Sequence, residues 1–106
     1  MFIGLSDKNC TLIKNVFSNF PKIEKVIVFG SRASGNYRPG SDIDFAIIGN
    51  ELDFDYITKI NVKLNDLELL YKFDIVNYST LKNKALIEHI DKYGVLFFEK
   101  HPVIRT

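Results

Sequence analysis

The chain is poor in the residues that mark several classes of protein. It has no tryptophan and one cysteine, Cys10. Because a single cysteine cannot form an intramolecular disulfide, a disulfide-stabilised secreted scaffold is excluded. Three prolines and six glycines form no low-complexity tract. No charged segment followed by an apolar one opens the chain, so we expect no signal peptide and a cytoplasmic location.

An excess of charge of one sign is also missing. The chain has 14 basic and 13 acidic residues and a formal net charge of +1, too little to attract nucleic acid or an anionic membrane. The longest apolar runs, such as 26–29, are far too short to cross a bilayer. We therefore expect no membrane partner and no direct nucleic-acid partner.

What is present is an ordinary globular composition, with 46% hydrophobic and 25% charged residues. A length of 106 residues fits one domain, and no repeat or linker divides the chain. Helical and strand patterns alternate along it. The sequence therefore predicts one domain over residues 1–106, with an α/β fold of the α+β type and a mixed sheet of about four strands flanked by helices.

Apolar side chains spaced three and four residues apart predict three helices, at Asp7–Phe20, Asp53–Leu70 and Thr80–Tyr93. Short apolar runs predict four strands, at Ile23–Phe29, Ser41–Ile48, Lys72–Asn77 and Val95–Phe98. We expect the first two strands to pair antiparallel and the last to lie at an edge. Ser6 and Ser79 are the predicted N-caps, and Gly94 ends the last helix. The tail, His101–Thr106, is expected to be poorly ordered.

Gly30-Ser31 follows the first strand and leads into a short helical turn predicted at 32–34. Glycine allows a phosphate to approach the backbone closely, and exposed N–H groups and the serine hydroxyl can donate hydrogen bonds to it. The pair therefore predicts a site for a nucleotide triphosphate. Taken alone, the pair is more typical of a strand-to-helix turn in which serine acts as a cap.

Asp42 and Asp44 lie two residues apart in a predicted strand, so their side chains share one face while Ile43 points into the core. Neighbouring carboxylates repel each other, and a cation relieves that repulsion. Oxygen ligands beside a phosphate site favour Mg²⁺. The alternative interpretation is a solvated acidic strand end.

Asp74 stands in a strand otherwise suited to burial, where a carboxylate needs a partner or an ion. If its strand lies beside that of Asp42 and Asp44, the three carboxylates can form a site for two metal ions. The alternative is an aspartate at a strand edge that accepts backbone hydrogen bonds.

Gly30-Ser31, ten residues, Asp42-x-Asp44 and a later strand aspartate together resemble the DNA polymerase beta nucleotidyltransferase superfamily. The stretch from Gly30 to Ala46 resembles the minimal nucleotidyltransferases of bacteria and archaea. Ser34 stands where these proteins often have a basic residue, a difference that bears on substrate contacts and not on the metal site.

The resemblance implies a nucleotidyltransferase fold and activity. Asp42 and Asp44 would bridge two Mg²⁺ ions, and Asp74 would hold the ion that activates an acceptor hydroxyl. ATP would be the donor, attacked at its α-phosphorus with loss of pyrophosphate. The residues expected to bind the nucleotide are Gly30, Ser31, Arg32 and Ser41. Arg38 is a further candidate phosphate contact; for both arginines a solvated surface charge is the alternative.

The resemblance also implies a partner, because minimal nucleotidyltransferases commonly act as the antitoxin of a two-component toxin–antitoxin system. The acceptor would be a tyrosine hydroxyl on a helical HEPN-domain toxin, in a hetero-oligomer. One alternative is a binding module that neutralises or scaffolds its partner by contact alone. Its support is a set of apolar residues near the termini: Phe2, Ile3, Phe97, Phe98, Val103 and Ile104. Another is a small-molecule transferase completed by a homodimer.

Two further residues are given no role in chemistry. Cys10 lies on the apolar face of the first helix and is expected to be a small buried side chain. His89 is expected to be a helix-surface residue, and it has no companion at metal-ligand spacing, so we assign it no zinc or catalytic role.

Overall fold

The computed structural model describes residues 4–38 and 40–100. The helices are α1 (Asp7–Ser18), α2 (Ser31–Ser34), α3 (Phe54–Asn65) and α4 (Lys84–Tyr93), and the strands are β1 (Ile23–Phe29), β2 (Ile43–Gly49), β3 (Phe73–Asn77) and β4 (Val95–Glu99). A single 3-10 turn at Tyr78–Thr80 follows β3. The tail predicted to be poorly ordered, His101–Thr106, lies outside the described residues. Within those residues, no helix has the length and apolarity that spanning a membrane requires.

The four strands form one mixed sheet in the order β3-β2-β1-β4. β1 pairs antiparallel with β2 and with β4, while β2 and β3 run parallel. The parallel pair is joined through α3, since parallel neighbours need a crossover connection. The predicted mixed four-stranded sheet, the antiparallel first pair and the edge position of the last strand are all confirmed.

One face of the sheet is covered by α1 and α3, and the main core lies there. Alternate β2 residues point into it, so Ile43 is fully buried as predicted. Phe17 of α1 meets Phe45 edge to face, with ring centroids 5.2 Å apart, and Phe97 at 6.2 Å. Cys10 is also buried in this core, as expected.

The opposite face carries α4 over part of the sheet, and a smaller apolar cluster of Phe29, Ala46 and Ile90 lies beneath it. On this face Phe29 is directly opposite Asp44, which in turn is opposite Asp74. We call Phe29, Asp44 and Asp74 the carboxylate row. The next row, which α4 covers, consists of Ile27, Ala46 and Val76. The carboxylate row therefore lies just beyond the covered part of the sheet.

The predicted end of α3 was wrong by five residues. The helix ends at Asn65 and not at Leu70, and Glu68 has a left-handed backbone with φ 56°. Leu67 and Leu69 both pack against the core. Residues two apart point in nearly opposite directions on a helix, so the chain has to leave the helix to bury both.

The predicted start of α4 and its cap were also wrong. Asn83 is the N-cap, and its side chain accepts a hydrogen bond from the Leu86 N–H. Ser79 instead lies in the 3-10 turn, where its N–H and hydroxyl both donate to Asn77 Oδ1. The other end was predicted correctly, since α4 stops at Tyr93 and Gly94 follows.

Candidate active site

The turn between β1 and α2 is built around Gly30. Its backbone has φ 76° and ψ −151°, a combination that is essentially restricted to glycine. A side chain here would collide with the Asp44 carboxylate unless that carboxylate moved, so glycine lets Asp44 keep its position. Ser31 follows and is half-buried. The predicted phosphate turn and the predicted metal ligand are thus direct neighbours.

The three predicted carboxylates come together at one end of the sheet. Asp44 is half-buried in β2, beside Asp74 of β3, and Asp42 stands one residue before β2 begins. Asp42 and Asp74 are both exposed. Asp42 was predicted inside the strand and lies just outside it, whereas Ile43, between the two aspartates, is fully buried as expected.

The ionisation of the Asp44 carboxyl is affected by its burial and by the charges of Asp74 and Asp42. Burial raises its pKa above the usual range of an aspartate, and the negative charges of Asp74 and then Asp42 raise the pKa further. The ionised form of Asp44 is therefore disfavoured until a positive charge arrives. A cation between these carboxylates would relieve the repulsion.

The donor set fits a hard divalent cation. All three groups supply carboxylate oxygens, which Mg²⁺ prefers, and that ion completes its shell with water and substrate phosphate. In the part of the chain that the structure describes, no three acidic, histidine or cysteine side chains already stand close enough to enclose an ion. Side-chain rotation or phosphate ligands would be needed to close the shell.

Arg32 of α2 is 2% exposed, and its guanidinium makes contacts inside the protein. Nε and Nη2 donate to the Ser41 carbonyl at 3.2 and 3.0 Å. The group lies over the rings of Tyr37 and Tyr71, 5.1 and 4.9 Å from their centroids. A solvated surface charge is therefore the wrong interpretation of Arg32. These contacts tie α2 to the segment that leads into Asp42.

Ser41 closes the turn immediately before Asp42. Its hydroxyl accepts a hydrogen bond from the Arg38 N–H at 2.7 Å, and its own N–H donates to the Arg38 carbonyl at 2.9 Å. The Ile43 N–H donates to the Lys72 carbonyl at 2.9 Å, which links β2 to the entrance of β3. The Arg38 side chain is exposed, as a solvated charge would be. Nucleotide contacts by Arg32, Arg38 and Ser41 stay predictions.

Two aromatic side chains lie beside this site, although the sequence analysis gave neither a role in it. The His89 ring of α4 lies 6.4 Å from the Phe29 ring and 5.4 Å from the Tyr93 ring, measured between centroids. His89 is half-buried, whereas a helix-surface position was expected. The available signal was the spacing of His89 and Tyr93, because residues four apart share a helix face.

The apolar partner surface proposed near the termini is only partly visible. Phe97 is 7% exposed and belongs to the main core, and Phe98 is half-buried against it. The remaining members, Phe2, Ile3, Val103 and Ile104, lie outside the described residues. The two described members are thus explained by packing within the chain.

A family model for polymerase beta nucleotidyltransferases matches residues 11–102, which is most of the chain and includes the whole candidate site. The chain belongs to this nucleotidyltransferase family. The family assignment confirms the resemblance predicted from Gly30-Ser31 and the aspartates.

Two relatives are named protein adenylyltransferases, and in both cases that name was assigned by inference. One, from Methanocaldococcus jannaschii, is 38% identical over 65 residues, which cover 61% of this chain and 59% of that protein. The alignment thus spans less than two thirds of that relative's length. The other, MntA of Haemophilus influenzae, is 25% identical over 103 residues, covering 96% of this chain and 90% of the relative.

Several solved structures share the fold of this chain. A toxin–antitoxin complex with AMP-PNP contains a chain with a TM-score of 0.71 and 23% identity, covering 87% of this chain and 74% of that one. A complex of tri-AMPylated Shewanella oneidensis HEPN toxin with MNT antitoxin gives 0.67 and 21%, covering 91% and 74%. An inferred nucleotidyltransferase from Sulfolobus solfataricus gives 0.55 and 26%, covering 86% and 77%. The predicted nucleotidyltransferase fold is confirmed.

Proposed function

We propose that this protein is a Mg²⁺-dependent nucleotidyltransferase that moves an adenylyl group from ATP to a hydroxyl group. One observation carries the proposal: in the sheet register, Asp74 is opposite Asp44, and Asp44 packs directly against Gly30. The proposed phosphate-binding turn at Gly30 thus lies next to the carboxylate pair of Asp44 and Asp74. We propose further that residues 1–106 act as a single domain located in the cytoplasm.

Each residue of the site has a distinct task in this mechanism. Gly30 lets the triphosphate approach the backbone, and the Ser31 hydroxyl donates a hydrogen bond to a phosphate oxygen. Asp42, Asp44 and Asp74 would hold two Mg²⁺ ions, which supply positive charge at the attacking and leaving oxygens. Arg32 holds the Ser41 carbonyl, so it keeps the segment before Asp42 in place.

Transfer itself is an in-line displacement. The acceptor oxygen forms a bond to the α-phosphorus while the bond to the bridging oxygen breaks and pyrophosphate leaves. Asp74 is exposed at its edge of the carboxylate row, so an incoming hydroxyl can reach it and pass its proton to this carboxylate. Holding donor and acceptor in this geometry supplies much of the rate, because it replaces an encounter between free reactants.

The acceptor we propose is a tyrosine hydroxyl of a HEPN-domain toxin, for which this chain would be the antitoxin. The support is the likeness to an MNT antitoxin solved with its AMPylated HEPN toxin and to an inferred protein adenylyltransferase named MntA. Asp42 and Asp74 are exposed, so a macromolecular acceptor can reach the carboxylates.

The test is incubation with Mg²⁺, ATP labelled at the α-phosphate and the HEPN protein from the same source. We expect label on the HEPN protein, none from ATP labelled at the γ-phosphate, and none with the double variant Asp42→Asn, Asp44→Asn. Asp55→Asn is the matched control, because Asp55 is exposed on α3 and only faces Lys59 across 3.9 Å. It should transfer label like the unmodified protein.

The outcomes separate this function from contact alone. Label that persists in the double variant would overturn the assignment of Asp42 and Asp44. A HEPN protein neutralised equally by the double variant, with no label from the unmodified protein, would establish the non-catalytic binding module instead.

A further inference from the structure

His89 and Tyr93 form a pair of aromatic rings that we call the aromatic platform. The two side chains are one helical turn apart on α4, and their ring centroids are 5.4 Å apart with an interplanar angle of 47°. His89 is half-buried, while Tyr93 is 52% exposed. The platform therefore begins inside the protein and continues into solvent.

The platform lies at one end of the carboxylate row. His89 meets the Phe29 ring edge to face, with centroids 6.4 Å apart and an interplanar angle of 77°. Phe29 is opposite Asp44 in the sheet, and Asp74 lies on the other side of Asp44. The residue after Phe29 is Gly30. The platform thus adjoins the proposed phosphate turn and stands across Asp44 from Asp74.

The helix that carries the platform is firmly attached. Gly94 packs so closely on Ile27 and on the Ile90 carbonyl that a side chain there would collide with both. The Tyr78 hydroxyl donates a 2.5 Å hydrogen bond to Asp91. Ile90 is 3% exposed in the apolar cluster beneath the helix. α4 therefore holds the two rings at a set position beside the carboxylate row.

Packing in the core does not account for the position of the Tyr93 ring. The buried members of the apolar cluster under α4 are Phe29, Ala46 and Ile90, and Tyr93 is not among the residues packed against them. Tyr93 adds little to that cluster, since half of its side chain is in contact with water. The Lys92 ammonium lies over the Tyr93 ring, 5.3 Å from its centroid, and adds positive charge close to the platform.

We propose that the aromatic platform binds the base of the donor nucleotide by stacking, while the triphosphate lies at Gly30-Ser31 and Asp44. This inference rests on the proposed function and adds to it the place of the base. Every base has a flat aromatic face, so a platform of rings needs no hydrogen-bonding code.

The test is calorimetric titration with two ligands, Mg-ATP and Mg-tripolyphosphate, of which the second has no base. Base stacking on an aromatic side chain is commonly reduced on the order of ten-fold or more in affinity by alanine substitution. We expect that loss for ATP in His89→Ala and in Tyr93→Ala, with tripolyphosphate affinity unchanged. His89→Phe keeps a flat ring and should bind ATP within about two-fold of the unmodified protein, well inside that stacking loss.

Phe54→Ala is the matched control, because Phe54 is an aromatic residue, 87% exposed, at the start of α3 beyond the other end of β2. It should change neither affinity. Unchanged ATP affinity in both platform variants would overturn the proposal. Equal weakening of ATP and tripolyphosphate would overturn it too, since that result indicates damage to the site as a whole.

The failure of this inference is distinguishable from failure of the proposed function. Ring-dependent ATP binding without any label transfer would support the platform and contradict the transferase. Label transfer with ring-independent ATP binding would do the reverse. A protein that binds neither ligand would contradict both.

Discussion

Gly30 is the residue at which conformation and chemistry depend on each other most directly. Its φ of 76° and ψ of −151° exclude other residues, and the Asp44 carboxylate fills the space where a side chain would begin. We expect Gly30→Ala to lower the free energy of unfolding by about 1–3 kcal/mol from backbone strain. It should also reduce label transfer strongly, because Asp44 has to move. Urea denaturation and the transfer assay measure the two effects.

Gly35→Ala is the control for Gly30→Ala. Gly35 is also left-handed, with φ 85°, but no atom lies within 4 Å of where its side chain would start. The left-handed backbone should cost roughly 1–2 kcal/mol of stability while transfer is kept. If Gly30→Ala kept normal transfer, the contact between Gly30 and Asp44 would be irrelevant to the reaction.

Asp44 should make stability depend on pH in a particular direction. Burial and the charges of Asp74 and Asp42 raise its pKa in the folded protein above that in the unfolded chain. A group with a raised pKa stabilises the fold at low pH, and this stabilisation is lost as pH rises through the folded-state pKa. Without metal, Asp44→Asn should therefore have the higher Tm at neutral pH.

The Tm values of the unmodified protein and of Asp44→Asn should converge as pH falls below the pKa of an unfolded aspartate, about 4. Mg²⁺ should raise the Tm of the unmodified protein more than that of Asp44→Asn, because the ion neutralises a repulsion that the variant lacks. The measurement is Tm against pH in chelator and in Mg²⁺. A lower Tm for the variant at neutral pH without metal would contradict the prediction.

At the scale of elements, α4 is the helix whose start sequence analysis misplaced. The side chain of Asn83 accepts a hydrogen bond from the Leu86 N–H, whereas the Ser79 hydroxyl donates to Asn77 Oδ1. We expect Asn83→Ala to lower the free energy of unfolding by about 1 kcal/mol, the typical cost of a lost N-cap. Ser79→Ala should change it by no more than about 0.5 kcal/mol. Urea denaturation of both variants decides between the caps, and the reverse order would favour the sequence prediction.

At the scale of the whole molecule, the core between the sheet and the α1 and α3 layer should unfold as one cooperative unit. Phe17 is fully buried against rings from β2 and β4. Phe17→Ala should cost about 3–5 kcal/mol, a large share of the roughly 5–15 kcal/mol of a typical domain. Leu70→Ala, at a side chain 95% exposed, should cost no more than about 0.5 kcal/mol.

Tyrosine fluorescence and circular dichroism, followed together in urea, measure both variants. We expect the two signals to change in a single shared transition, as in most small domains. Separate transitions would contradict the proposal that residues 1–106 form one domain.

Features that depend on a few consecutive residues, such as strand ends and helix caps, were often predicted correctly from the sequence. β1 was predicted with the correct ends, because a run of β-branched residues stops at Gly30. Ser6 was predicted as the N-cap of α1, and its side chain does accept from the Asn9 N–H. The end of α3 and the start of α4 were missed, because core packing of Leu67 and Leu69 and the capping side chain of Asn83 overrode helical periodicity.

The sequence by itself determined the nucleotidyltransferase family, the Gly30-Ser31 turn and the three aspartates, since these depend on residue type and spacing along the chain. Only the tertiary structure decided that Asp74 is opposite Asp44, that Arg32 holds the Ser41 carbonyl, and that His89 reaches Phe29. Each of these three contacts joins different elements. Strand register and helix docking bring such residues together, and both arise from packing of the whole chain and not from any local pattern.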